Sequence, residues 1–115
     1  MAFNENQIQK IEQIVNPFIE SIRPAPEIRQ KMDISFRLEN QSLLIFEIRP
    51  QFRYPDRVLE SSIAKATYVK RTRLWKLYWM RADMKWHRYE PFPGAESLQE
   101  ILDVIARDEY HCFWG

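Results

Sequence analysis

Glycine is nearly missing from this chain: there are two in 115 residues, Gly94 and Gly115. A phosphate-cradling loop needs several glycines close together, so that nucleotide-binding device is excluded. Cysteine occurs once, at Cys112. An internal disulfide is therefore impossible, which fits a reducing cytoplasm. No apolar run approaches the roughly 20 residues that cross a bilayer, so no membrane partner is expected. Residues 1–5 carry no basic run ahead of an apolar one, and no signal peptide is expected. Excess charge is also missing. Seventeen Lys and Arg meet sixteen Asp and Glu, for a net charge of +1. A strongly basic nucleic-acid arm and an acidic solvating tail are both excluded.

What is present is ordinary globular composition, 45% hydrophobic and 29% charged, and the length predicts a single domain over residues 1–115. There is no internal repeat. Ile8, Ile11, Val15, Phe18, Ile19 and Ile22 follow the three-four spacing of a helical face. Asn4 and Gln7 form a capping-box pair ahead of it. Pro17 interrupts the stripe without shifting its phase. Either one helix carries the proline, or Asn16 caps a second helix that starts on Pro17. Pro24 and Pro26 end the segment.

The middle reads as strands. Met32, Ile34, Phe36 and Leu38 alternate with Asp33, Ser35, Arg37 and Glu39. Asn40-Gln41 is a turn. The run from Leu43 to Ile48 is apolar on both parities near its start, as in a central strand. Residues 51–61 read as a loop, followed by strands at about 63–70, 73–80 and 85–90. Short connections favour an antiparallel meander. With Arg71-Thr72 as a turn, Tyr68 faces Trp75, Ala66 faces Leu77 and Ala64 faces Trp79. Small residues against large ones make this parity the core side. Lys65, Thr67, Lys76 and Tyr78 fall on the other, partly wet side.

Ser97 and Glu100 form an S-x-x-E capping box, and Leu98, Ile101, Leu102 and Ile105 make a helical stripe behind it. The ending carries Tyr110, Phe113 and Trp114, rings expected to dock on the body. The expected fold is α+β: an N-terminal helix, a five-stranded antiparallel meander, and a C-terminal helix with a docked aromatic tail.

Several fragments, taken in order, resemble a known family. They are Glu47-x-Arg49-Pro50, Ala64-Lys65, Trp75-x-Leu77-Tyr78-Trp79, Lys85-Trp86-His87-x-Tyr89, and the closing Asp108 with Phe113-Trp114-Gly115. Together they resemble the short bacterial proteins known as domain of unknown function 3024, over about residues 30–115. One departure is Met84 after Asp83, where Asp-Gly is the pattern, so a longer loop is expected there. The resemblance implies a bacterial source and an intact small domain, and brings no activity with it.

Four constellations carry possible chemistry. Glu47 and Arg49 share one strand face. With Lys65 they would resemble a nuclease set, a carboxylate beside cations that stabilise a transferring phosphate. Asp33 would be the second acid, but the turn places it opposite Ile48, on the reverse face from Glu47 and its partner Ile34. Only a slip or a bulge would reunite them. A structural ion pair is the favoured reading of Glu47 and Arg49. Second, residues 65–88 hold eight Lys or Arg and one acid, Asp83, which leaves +7 there and −6 elsewhere. Three of the four tryptophans lie in this window. Single-stranded nucleic acid is bound by such mixtures, phosphate on the cation and base on the ring. The alternative is a charged sheet edge, or a balance for the helix acids Glu96, Glu100 and Asp103. Third, His87, Asp108, His111 and Cys112 are metal-ligand types, but no pair has zinc-site spacing, so no metal is assigned. Fourth, no serine sits in a G-x-S-x-G setting, and no catalytic residue is assigned.

The leading expectation is a non-catalytic binding module for an anionic partner such as RNA or DNA, with Arg49, Lys65, Lys76 and Tyr78 as contacts and no cofactor. The second is a small toxin-like ribonuclease that uses Glu47 with the same cations. The third is a protein-interaction subunit. Composition leaves the oligomeric state open.

Overall fold

A computed structural model describes residues 2–115. Helix α1 spans Glu5–Ile22, strands β1 to β5 span Asp33–Glu39, Ser42–Pro50, Val58–Val69, Leu74–Met80 and Trp86–Arg88, β6 is Gly94–Ala95, and helix α2 spans Leu98–Arg107. The strands pair antiparallel in the order β1-β2-β3-β4-β5, with β6 also on β4. The fold is α+β, with a meander between two helices. Among the described residues no helix is long and apolar enough to cross a membrane.

Both helix starts follow their sequence signals. The Asn4 side chain accepts from the Gln7 N–H at 2.8 Å while Gln7 returns the contact at 2.9 Å. Ser97 and Glu100 do the same for α2. Each box satisfies two N–H groups that a helix start leaves unpaired. Pro17 lies inside α1, which resolves the earlier alternatives in favour of one helix. Pro17 and Gln13, whose carbonyl loses its partner, are both exposed, so water can take that hydrogen bond.

The sheet has two different faces. Leu43 and Ile45 on β2, Ala64 and Ala66 on β3, and Leu77 on β4 are all buried and join the apolar faces of α1 and α2 in one cluster. The register is the one read from the turns: Ala66 faces Leu77, Ala64 faces Trp79 and Tyr68 faces Trp75. Two alanines in the central strand leave room for the helices to approach the sheet. Trp75 is buried. Trp79 is only half-buried, packed on the core edge with the Arg81 guanidinium 5.5 Å above its ring. The expectation that Trp79 is a core residue is corrected to that extent, because near the end of β4 it borders an open cleft with Arg81, His87 and Cys112.

Three further expectations change. β3 begins at Val58, so the last four residues of the expected loop over 51–61 are strand. A bulge interrupts the β2–β3 register between Ile45 and Phe46, with Ile63 as the extra residue, and Ile63 turns into the core. Period-two counting from a single strand misses such an insertion. Finally, β6 was not foreseen. It closes on β4 at Gly94, where a Cβ would lie 2.7 Å from the Trp75 carbonyl oxygen, so only glycine fits. The turn at Asp83-Met84 is a short loop closed by an Arg81 N–H to Lys85 carbonyl bond of 3.2 Å, with Met84 at φ +62° in the position that favours glycine.

The tail is held by one carboxylate. Asp108 ends α2 in the left-handed conformation at φ +41° and is 6% exposed. Its carboxylate accepts from the Phe113 N–H at 3.0 Å and the Trp114 N–H at 2.8 Å. The Trp114 indole N–H donates to the Ile105 carbonyl at 2.9 Å. Phe113 is buried against Tyr89, ring centres 4.9 Å apart. Tyr110 does not dock. It is exposed, in the tight turn that brings the chain back to Asp108. An Asp108→Ala chain leaves two sequestered N–H groups without an acceptor and is expected to lose about 3 kcal/mol of stability. Asp108→Asn, which keeps an acceptor and tolerates positive φ, is expected to lose less. Urea unfolding of both chains measures this, and an Asp108→Ala chain as stable as the parent would show that the tail is held by its rings alone.

Candidate functional site

Opposite the helices the sheet is uncovered, and its register builds rows of side chains across it. One row runs Leu44, Lys65, Tyr78, Arg88. The next runs Ser42, Thr67, Lys76, Gly94. Phe46, Met80 and Trp86 complete the face on the far side of the first row. The Ser42 and Thr67 hydroxyls share a hydrogen bond of 2.7 Å.

Lys65 is at the centre. Its ammonium lies 4.9 Å from the Tyr78 ring centre and 5.3 Å from that of Trp86. Burial by these neighbours lowers its pKa from the ordinary lysine value. Lys76 and Arg88 line one cleft of about 300 Å³ with Leu74, Pro93 and Gly94. The cations therefore flank Tyr78 on both sides, with a second ring beyond.

Charge pairing is uneven: four arginines outside the basic window hold carboxylates, while Lys10, Lys31, Arg53, Arg57 and Arg107 are in no ion pair among the described residues. Outside the basic window, Arg23 binds Asp33 and Glu20, Arg37 binds Glu60 and Glu39, and Arg49 binds Glu47. Inside it, none of Lys65, Lys70, Arg71, Arg73, Lys76, Arg81, Lys85 and Arg88 is in an ion pair among the described residues. The one acid there, Asp83, accepts from the Lys85 N–H and contacts the His87 ring at 2.8 Å. The contact with His87 is the main reason its carboxyl titrates below the usual range. The acids of α2 do not balance the window: Glu100 caps the helix and Asp103 accepts from Gln99 at 3.0 Å.

Of the residues singled out in the sequence, Lys65, Lys76 and Tyr78 come together. Arg49 does not join them. Strand alternation along β2 places it, with Glu47, on the parity of Leu43 and Ile45, the reverse of Lys65. Glu47 is opposite Ile34 and Asp33 opposite Ile48, as the turn implied. The bulge lies between β2 and β3 and leaves that β1–β2 register intact, so Glu47 is brought neither to Asp33 nor to the cations of the open face. Arg88 and Trp86 were not singled out. Both lie in the basic window, but the length of the loop at Met84 was needed to set the register of β5. His87, Asp108, His111 and Cys112 do not converge: His87 faces Asp83, Asp108 ties the tail, the His111 backbone N–H donates to the Asp108 carbonyl at 3.0 Å, and the Cys112 thiol, raised in pKa chiefly by burial, contacts the Tyr110 carbonyl at 3.7 Å.

The family model for the domain of unknown function (DUF3024) matches residues 3–115. The chain belongs to this family. No curated protein and no solved structure matches it. The DUF3024 match takes in α1 as well as the sheet, which extends the resemblance seen from residue 30 onward.

The burial of Lys65 has a consequence for stability. A lysine whose folded pKa is lowered disfavours folding below that pKa, and the penalty disappears only once the unfolded chain also deprotonates, above about pH 10.4. The two rings offset part of it through cation–π attraction. A Lys65→Met chain keeps the stem volume without the charge and is expected to stay within about 1 kcal/mol of the parent at pH 7. Thermal unfolding measures this. A large drop would make Lys65 a structural residue.

Proposed function

We propose that the open face of the sheet binds single-stranded nucleic acid, with phosphates on Lys65, Lys76 and Arg88 and bases against Tyr78 and Trp86. The observation that carries this reading is that, among the described residues, no Lys or Arg of the window is in an ion pair, although one acid lies among the eight cations. Lys65 supports it most. A half-buried ammonium between two rings, with no carboxylate beside it, costs stability that a methionine would avoid. Charge interleaved with rings that are partly open to solvent, as Tyr78 and Trp86 are, is what a strand of alternating phosphates and bases requires. Arg49 takes no part in this surface.

The ribonuclease reading has no comparable support. It needs an acid or base within reach of the cations, and Glu47 is on the other parity. The interaction-subunit reading remains as the outcome if nucleic acid is not bound.

Each phosphate contact on a single strand contributes about 0.7 to the slope of log affinity against log salt. A Lys65→Ala, Lys76→Ala double variant is expected to flatten that slope by about 1.4 for an oligothymidylate and to retain its fold. Fluorescence anisotropy across a salt series reads it. Absence of binding by the parent chain at low salt would sink the proposal.

A further inference from the structure

Strands β2 and β3 extend beyond the rest of the sheet as a two-stranded arm. β1 begins opposite Ile48, and β4 pairs with β3 only from Ala64 onward, so residues 49–59 are held chiefly by each other. The tip is ordered by hydrogen bonds. The Gln51 N–H donates to the Arg57 carbonyl at 2.9 Å, and the Arg57 N–H to the Tyr54 carbonyl at 2.8 Å, around Pro55. Pro55 pre-sets the backbone for that turn.

This arm concentrates apolar surface in water. Of the seven large hydrophobic residues exposed among the described residues, four are here: Phe52, Tyr54, Val58 and Leu59. Phe52 is 99% exposed, so it contributes nothing to the core. The Arg57 guanidinium lies 4.8 Å from the Tyr54 ring centre. Arg53 and Arg57 are in no ion pair among the described residues, unlike Arg49, which Glu47 neutralises.

We infer that the arm is a second contact for the same single strand, with bases on Phe52 and Tyr54 and phosphates on Arg53 and Arg57; this rests on the reading of the sheet face. Three observations favour a nucleic-acid strand over a lipid surface. Rings and free cations alternate along the tip, Phe52, Arg53, Tyr54, as phosphates and bases do. Val58 and Leu59 are adjacent in a strand and point to opposite faces, so the arm has no single apolar side to lay on a membrane. And β3 itself leads from Lys65 to Arg57, a span of about 26 Å at roughly 3.3 Å per residue, so one strand can follow both. Glu60 lies on that path, but Arg37 holds its carboxylate at 2.7 Å.

The test uses full-length chains and two labelled oligothymidylates, one of roughly 5 nucleotides and one of roughly 20, lengths that bracket a single binding groove and a longer track. Phe52→Ala with Tyr54→Ala is expected to weaken the long oligonucleotide about tenfold or more, leave the salt slope unchanged, and leave the short one unaffected. Arg53→Ala with Arg57→Ala is expected to flatten the slope for the long one by about 1.4. All four residues are exposed, so unchanged melting confirms that the variants are folded. Arm variants that bind the long strand like the parent, while Lys65→Ala with Lys76→Ala weakens it, overturn the arm and leave the sheet face standing. No binding by the parent overturns both. Arm variants that instead lose only binding to phosphatidylserine vesicles, or only self-association, assign the arm to a lipid surface or a second copy and overturn the inference.

Discussion

Ala66 facing Leu77, with Lys65 facing Tyr78 one residue away, is the register on which the two faces of this molecule depend. Side chains in a strand alternate strictly, so a slip of one residue would send the alanines to water and the lysines under the helices. The alanines admit α1 and α2, the leucine fills the space between them, and the helices seal that side. The remaining residues of β3 and β4 then have no helix to meet. The basic and aromatic face is thus the complement of the core, produced by the same pairing.

That face is held together in an unusual way for so many cations. Arg23 is neutralised by Asp33 at short range, and the hydrogen bond holds that carboxyl below its usual range. Around Lys65 the attraction comes instead from ring quadrupoles. Cation–π contacts leave the positive charge available, because a ring has no net charge to cancel it. A surface built on carboxylate pairs would be electrically quiet. The surroundings of Lys65 keep their field.

The C-terminal segment shows a different use of charge. Asp108 is the one buried acid among the described residues, and it is satisfied by backbone N–H groups rather than by a cation. Its left-handed backbone reverses the chain after α2 and aims the carboxylate at the returning strand of tail. The capping residue of one helix is therefore also the anchor that seats Phe113 on Tyr89. Asp108, read from the sequence as a candidate metal ligand, is occupied by this structural duty.

Local signals in the sequence determined the parts. Both capping boxes, the helical stripes, the alternation of β1, and the β3–β4 turn follow from interactions between residues a few positions apart, which is why Lys65, Lys76 and Tyr78 were legible together. Longer-range facts were not legible. The bulge at Ile63, the cover over Trp79, the placement of Arg49 away from the lysines, and the arrival of Arg88 and Trp86 beside Tyr78 depend on how separate strands meet. Strand pairing is decided by packing over the whole sheet and by the geometry of each intervening loop. A single inserted residue at Ile63, or a methionine in a glycine position at Met84, alters where strand residues fall while leaving the local pattern of alternation intact. The sequence alone thus established every element but β6 and two pairings between them, β1 with β2 and β3 with β4. The tertiary structure decided which side chains share the open face, because only the folded sheet brings residues from four strands within contact.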